Sequence, residues 1–117
     1  MKLSRRAFLA SPLLAVENGG ARLEDWMQAG VLERKRMLRA CLHTIREQDS
    51  SIHAWVQVKP QTQAEAGPLA WIPFGVKDVI DVRGLVNELG SPLYKGRKAS
   101  KDAAIVARLK GLGPALF

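Results

Sequence analysis

The sequence predicts an α/β fold in which helices come first, extended segments follow and another helix comes last. Apolar residues recur at helical spacing between about 22 and 48, a β-prone run covers 52–58, and a second helical pattern begins near Asp102. A chain of 117 residues with 47% hydrophobic and 25% charged residues has the composition of a folded protein. Its length allows one domain or a fragment of one.

The N-terminus has the arrangement of an export signal. Basic residues open the chain, and a mostly apolar run follows over 7–16. Residues 4–9 resemble the twin-arginine export motif, and the small residues 19–21 offer a cleavage site. We therefore expect a signal peptide over residues 1–21 and a periplasmic or otherwise exported protein, with a cytoplasmic protein as the alternative. No stretch approaches the roughly 18 consecutive apolar residues of a membrane span.

Two helices are predicted next. The first is short and can end at Gly30, and the second covers 32–48 and should be broken by 49–51. Cys41 lies within the apolar stripe of the second helix, which favours a small core residue over a reactive thiol. The residues at helical spacing are Leu23, Trp26 and Met27 in the first helix, and Leu38, Cys41, Leu42 and Ile45 in the second.

Extended segments and a final helix complete the chain. The β-prone run 52–58 alternates imperfectly, 61–67 predicts a turn or loop, and 79–84 continues an extended pattern. A turn is expected around 90–92, before the helix near Asp102. The acidic residue at the start of that helix and the basic residues at its end suit the helix dipole. Its apolar face is Ala103, Ile105, Val106 and Leu109, and Gly111, Gly113 and Pro114 end it.

The charge and metal-ligand patterns limit the possible functions. The 18 basic and 11 acidic residues give a net charge of +7, and several of the basic residues fall within 95–110. Because this segment has no aromatic platform beyond Tyr94, a solvated basic face is favoured over nucleic-acid binding. His43 and His53 form no recognisable zinc or facial-triad pattern, and a single cysteine allows no cysteine cluster. We expect no metal.

Lys77 is the residue whose sequence surroundings indicate a catalytic role. It lies among apolar residues and close to Gly75, which permits close backbone approach. A lysine that loses its hydration in such surroundings becomes available as a neutral base or nucleophile. The alternatives are an ion pair with Asp78 or a side chain that reaches water.

Residues 67–85, 90–94 and 102–109 resemble the N-terminal part of the amidase signature family. The block 73–78, which reads PFGVKD, is the most specific match, and the likeness extends over 22–113. The resemblance implies the first helices and strands of a mixed sheet, and hydrolysis of carboxylic amide C–N bonds by a Ser–cis-Ser–Lys triad. Lys77 matches the triad base. The implied substrate is a small-molecule amide, and no cofactor is implied.

The family's two serines lie downstream in a Gly/Ser-rich segment. The serines of this chain are not in such a segment, so we expect 22–117 to be an amidase portion truncated before it, inactive alone and dependent on the missing portion. Pro114 stands where the family has alanine, which suggests a frameshift or premature stop. Trp71 replaces a usual glycine and is expected to crowd Lys77.

Three alternatives remain. The chain could be a non-catalytic binding or complementation module, or a small basic protein that binds anions or nucleic acid through 95–110. Within the family it could be one component of a tRNA-dependent amidotransferase, although an export signal argues against a role in translation.

Overall fold

The computed structural model describes residues 22–60 and 66–116. The predicted signal peptide over 1–21 lies outside these ranges, as does most of the predicted loop over 61–67. The chain separates into two compact units, Met1–Ala54 and Trp55–Phe117. No helix within the described residues is both long enough and apolar enough to cross a membrane.

The described part of the first unit consists of two helices, α1 over Leu23–Gln28 and α2 over Val31–Ile52. Both were predicted from helical spacing. Trp26 is buried in α1, and the guanidinium of Arg34 donates to the Trp26 carbonyl at 2.8 Å and to the Met27 carbonyl at 3.1 Å. Because the last carbonyls of a helix have no partner within the helix, Arg34 of α2 satisfies groups that α1 leaves open.

The end of α2 differs from the prediction. The helix continues through 49–51 to Ile52, and His53 ends it in the left-handed conformation at φ 55°. The carboxylate of Asp49 accepts a hydrogen bond from the Ala54 amide at 2.8 Å. Asp49 thus satisfies an amide just beyond the helix instead of breaking it. The predicted strand over 52–58 is wrong, because Ile52 is helical and 53–60 form no strand.

The second unit contains a short parallel strand pair and a helix. Strand β1 covers Pro73–Phe74 and strand β2 covers Ala115–Leu116, with Pro73 opposite Ala115 and Phe74 opposite Leu116. Helix α3 covers Ala104–Lys110, close to its predicted position, and a 3₁₀ turn covers Pro92–Tyr94. The described architecture therefore confirms the α/β prediction.

The core of this unit lies between β2, α3 and the turns that follow β1. Its fully enclosed members are Val82, Val106 and Leu116, and Phe74, Val76, Ile80, Leu85 and Ala103 pack around them. Ile105 was predicted on the buried face of α3 but is 57% exposed. Because α3 has only seven residues, one side chain, Val106, provides its fully buried contact with the core.

Turns replace the extended segment predicted over 79–84. Two chain segments, 84–87 and 97–99, then run side by side. The Gly84 amide donates to the Ala99 carbonyl at 2.9 Å, and the Asn87 amide donates to the Arg97 carbonyl at 2.9 Å. This pairing returns the chain to the start of α3.

Candidate active site

Lys77 lies three residues beyond the carboxyl end of β1, and its side chain is exposed. The expectation of an apolar, dehydrated environment is therefore wrong for the described residues. Phe74 and Val76 pack against the core, whereas Lys77 does not belong to that cluster and is exposed. Within the described part of the chain, Lys77 forms no ion pair with Asp78 or another carboxylate. The alternative of a side chain that reaches water is the one observed.

The backbone on both sides of Lys77 is closely held. Its carbonyl accepts hydrogen bonds from the Val79 amide at 2.7 Å and from the Ile80 amide at 2.9 Å. On the other side, a Cβ atom at Gly75 would lie 2.9 Å from Cη2 of the Trp55 ring. The ring therefore occupies the space that a side chain at Gly75 would need.

A polar cluster follows directly after this turn. The carboxylate of Asp81 accepts two hydrogen bonds from the guanidinium of Arg97, at 2.7 and 2.8 Å, and a third from Nδ2 of Asn87 at 2.7 Å. Asn87 is only 2% exposed. The hydrogen bond from Arg97, assisted by that from Asn87, lowers the pKa of Asp81 to about 2. Asp81 is therefore ionised throughout the neutral range.

A second ion pair joins the last residue of helix α3 to a residue just before its start. Nζ of Lys110 lies 3.0 Å from Oδ1 of Asp102, and the Arg83 amide donates to the same oxygen at 2.7 Å. Burial raises the pKa of Asp102, but the hydrogen bonds from Arg83 and Lys110 outweigh that effect, so the net pKa is lowered. The prediction that an acidic residue lies in the first turn of this helix is wrong, because α3 begins at Ala104 and Asp102 precedes it by two residues. Asp102 instead contacts Lys110, the last residue of the helix.

A groove of about 390 Å³ lies beside the Lys77 turn. Val79 and Ile80, whose amides bind the Lys77 carbonyl, form part of its wall together with Ile105 from α3. Asp81 and Arg97 also line the groove. Lys101 and Asp102 line it as well, so the groove combines apolar side chains with four charged ones. Val79 is 51% exposed.

The other residues considered from sequence have local partners. In the first unit, Oγ of Ser51 donates to the Gln48 carbonyl at 2.8 Å; in the second, Ser91 lies at the start of the 3₁₀ turn. No described serine of the second unit forms a hydrogen bond with Lys77. Burial raises the pKa of the Cys41 thiol, in keeping with a core residue. The described residues contain no group of three His, Cys, Asp or Glu side chains that could hold a metal.

The Asp81–Arg97–Asn87 cluster was missed by the sequence reasoning. Arg97 and Lys110 were assigned to a solvated basic face, but both form ion pairs. The available signal was an aspartate, Asp81, placed among the apolar residues 79–82 and followed 16 residues later by an arginine. The free positive charge of 95–110 is smaller than the sequence suggested, which weakens the nucleic-acid alternative.

Lys77 thus lies beyond the carboxyl end of a parallel strand in an α/β unit, within the block 73–78 on which the family resemblance rests. The family model described as Amidase matches residues 31–117, so the chain belongs to the amidase family. The resemblance stated from sequence is thereby confirmed.

Three curated relatives show how much of such proteins the chain covers. It is 34% identical over 68 residues to the A subunit of the glutamyl-tRNA(Gln) amidotransferase of Methanospirillum hungatei, covering 58% of this chain and 16% of the relative. It is 27% identical over 111 residues to the corresponding protein of Salinispora arenicola, covering 83% and 23%. An amidase of Pseudomonas putida is 29% identical over 110 residues, with the same coverage, 83% and 23%. The chain thus spans about a fifth of the length of these relatives.

A solved structure shows the same fold. The chain matches the A subunit of the glutamyl-tRNA(Gln) amidotransferase of Thermotoga maritima with a TM-score of 0.64 and 23% identity, covering 80% of this chain and 21% of that one. This likeness supports the α/β arrangement described above.

Proposed function

We propose that residues 31–117 form the lysine-bearing part of an amidase active site, with Lys77 as the base of a Ser–cis-Ser–Lys triad. The observation that carries the proposal is the placement of Lys77. It lies beyond the carboxyl end of β1, the edge at which open α/β sheets bind their ligands, and inside the segment that matches the family.

The proposed reaction is hydrolysis of a small-molecule amide. Neutral Lys77 accepts a proton from a bridging serine, which in turn accepts the proton of a second serine as that serine attacks the amide carbonyl. Lys77 then returns the proton through the bridging serine to the leaving nitrogen, the C–N bond breaks, and the neutral amine or ammonia leaves. Water hydrolyses the acyl-enzyme to the acid and the free serine. These steps use proton transfer and covalent catalysis by side chains alone.

The described residues of the second unit lack two things that this reaction requires. None of its described serines forms a hydrogen bond with Lys77. In addition, Lys77 is exposed, and water stabilises the charged ammonium over the neutral amine that acts as a base. We therefore propose that the segment carrying the serines also buries Lys77, so that one docking event supplies both the nucleophile and the dehydrated base. The 117 residues alone are then inactive.

The names of the relatives indicate where that segment could be found. Several relatives are subunits of an amidotransferase, whereas the Pseudomonas putida relative is an amidase. We propose that this chain requires further amidase sequence, either continuous with residue 117 or on a second polypeptide.

The test compares the full chain alone with a chimera. In the chimera, the 117 residues are followed by the part of the Pseudomonas putida amidase that lies beyond the matched segment. We expect no fluorophosphonate labelling and no hydrolysis of aliphatic or aromatic carboxamides by the chain alone, and both from the chimera. Lys77→Ala should lower the chimera's rate by about 10²–10⁴-fold, the usual contribution of a positioned base.

Two further variants control this experiment. Lys77→Arg should be as inactive as Lys77→Ala, because a guanidinium does not give up its proton. Lys95→Ala removes another exposed lysine of the same unit and should retain full activity. Fluorophosphonate labelling of the chain alone, or an unchanged rate in Lys77→Ala, would contradict the proposal.

A further inference from the structure

The segment that carries Lys77 is held at one end by the strand pair and at the other end by the hydrogen bonds of Asp81. At one end, Phe74 of β1 stands opposite Leu116 of β2 in the parallel pair. At the other end lies Asp81, four residues after Lys77. Between them, Val76 and Ile80 pack against the core, and the Val79 and Ile80 amides donate to the Lys77 carbonyl. Asp81 therefore fixes the end of the turn that lies directly after these amides.

Asp81 is held through both its side chain and its backbone. The side chain accepts the two hydrogen bonds from Arg97 and the one from Asn87. The backbone carbonyl accepts the Ala103 amide at 2.9 Å, which joins Asp81 to the start of α3. Because Arg97 and Ala103 follow Asp81 by 16 or more positions, distant parts of the unit fix the turn.

Arg97 is itself well anchored, unlike a typical surface arginine. Its carbonyl accepts the Asn87 amide at 2.9 Å, and its Nη1 also lies 3.3 Å from the Asn87 carbonyl. Two parallel hydrogen bonds between a guanidinium and a carboxylate restrict orientation as well as distance. An isolated exposed ion pair contributes little to the free energy of unfolding. Here, however, the two hydrogen bonds fix Asp81 relative to the paired segments 84–87 and 97–99.

We propose that the Asp81–Arg97 pair positions Lys77 for catalysis. The proposal rests on the proposed function, in which Lys77 is the base. Asp81 and Arg97 are positioning residues: they act on the turn after Lys77, whose amides bind the Lys77 carbonyl. Loss of the pair lets that turn relax and displaces the amine from the serine it must reach.

The first measurement is backbone amide exchange in the full 117-residue chain. Asp81→Asn keeps the shape of the side chain but removes its charge. We expect exchange of the Val79 and Ile80 amides to accelerate about tenfold or more, while that of the Ala107 amide in α3 stays unchanged. Arg97→Lys keeps the charge and loses the second parallel hydrogen bond, so it should give a smaller acceleration of the same two amides.

The second measurement is the activity of the chimera. Because misplacement of a catalytic group by about 1 Å can cost about 100-fold, Asp81→Asn should lower kcat by about 10- to 100-fold and leave KM unchanged. Arg97→Lys, which keeps one charged donor to Asp81, should lower kcat less than Asp81→Asn does. Lys110→Gln is the matched control, since it removes the cation of the other ion pair and should change neither kcat nor the Val79 and Ile80 exchange.

The outcomes separate this proposal from the function on which it rests. Unchanged exchange at Val79 and Ile80 in both variants would overturn it, as would equal acceleration of all amides, which indicates a general loss of stability. Faster exchange at the turn with an unchanged kcat would also overturn it. If Lys77→Ala retains full activity in the chimera, the proposed function fails, and the exchange data still decide whether the pair fixes the turn.

Discussion

Trp71 has a backbone conformation that its side chain disfavours. Its φ is 66°, in the left-handed region, where the Cβ atom of an L-residue crowds the backbone at a cost of about 1–2 kcal/mol. Trp71 lies in a tight turn, in which the Ala70 amide donates to the Gly67 carbonyl at 3.1 Å and the Ile72 amide donates to the Leu69 carbonyl at 3.0 Å. Strand β1 begins directly after this turn, at Pro73.

A comparison of Trp71→Gly with Trp71→Ala isolates this strain, because both variants lose the indole ring. Glycine removes the roughly 1–2 kcal/mol of crowding but loses about 0.5–1 kcal/mol more backbone entropy on folding. The glycine variant should therefore be more stable than the alanine variant by about 0.5–1 kcal/mol, measured by urea unfolding followed by circular dichroism.

The control is the same comparison of alanine with glycine at a position that has ordinary helical geometry. Ala107→Gly, in α3, should destabilise by about 1 kcal/mol, so the preference between alanine and glycine reverses sign between the two sites. If Trp71→Ala proves as stable as Trp71→Gly, or more stable, the inference that position 71 is strained is refuted.

Two other predictions concern the neighbourhood of Lys77. Gly75→Ala should destabilise the chain by about 1 kcal/mol in urea unfolding, because its Cβ would meet the Trp55 ring, and the loss should shrink in a Trp55→Leu background; equal losses in both backgrounds would exclude the ring as the cause. For Asp81, a folded-state pKa of about 2 lies below the ordinary value of 3.8, so its contribution to stability is present above about pH 4 and is lost as the pH falls toward 2. The urea midpoint of the parent chain should therefore fall more steeply between about pH 4 and 2 than that of Asp81→Asn; parallel curves would show that the pair contributes nothing.

The helices could be predicted from sequence because their signal is local. Helical spacing of apolar residues located α1, α2 and α3 within a few positions. The end of α2 was missed, since Asp and Ser favour breaks by competing for backbone hydrogen bonds, whereas Asp49 instead binds the amide of Ala54. The strands were not predictable from periodicity, because β1 and β2 have two residues each and pair across about 40 positions.

The site was predicted only in part for a related reason. A short specific motif located Lys77 and the family, and the family match confirms the assignment of the family. The surroundings of Lys77 were inferred from its sequence neighbours, but those side chains turn into the core and leave the lysine exposed. The Asp81–Arg97 pair joins residues 16 positions apart through intervening turns, and no local pattern specifies which arginine in a basic segment such a carboxylate meets.

The parallel direction of β2 bears directly on the catalytic role proposed for Lys77. Because β1 and β2 are parallel, their carboxyl ends meet at the same edge of the sheet. Lys77 follows β1 beyond that edge, and β2 ends at the same edge with Leu116. An antiparallel β2 would instead end at the opposite edge, where Trp71 precedes β1. Under the proposed function, a segment joined after β2 starts at the edge where Lys77 lies, so the chimera joined after residue 117 tests the proposed triad.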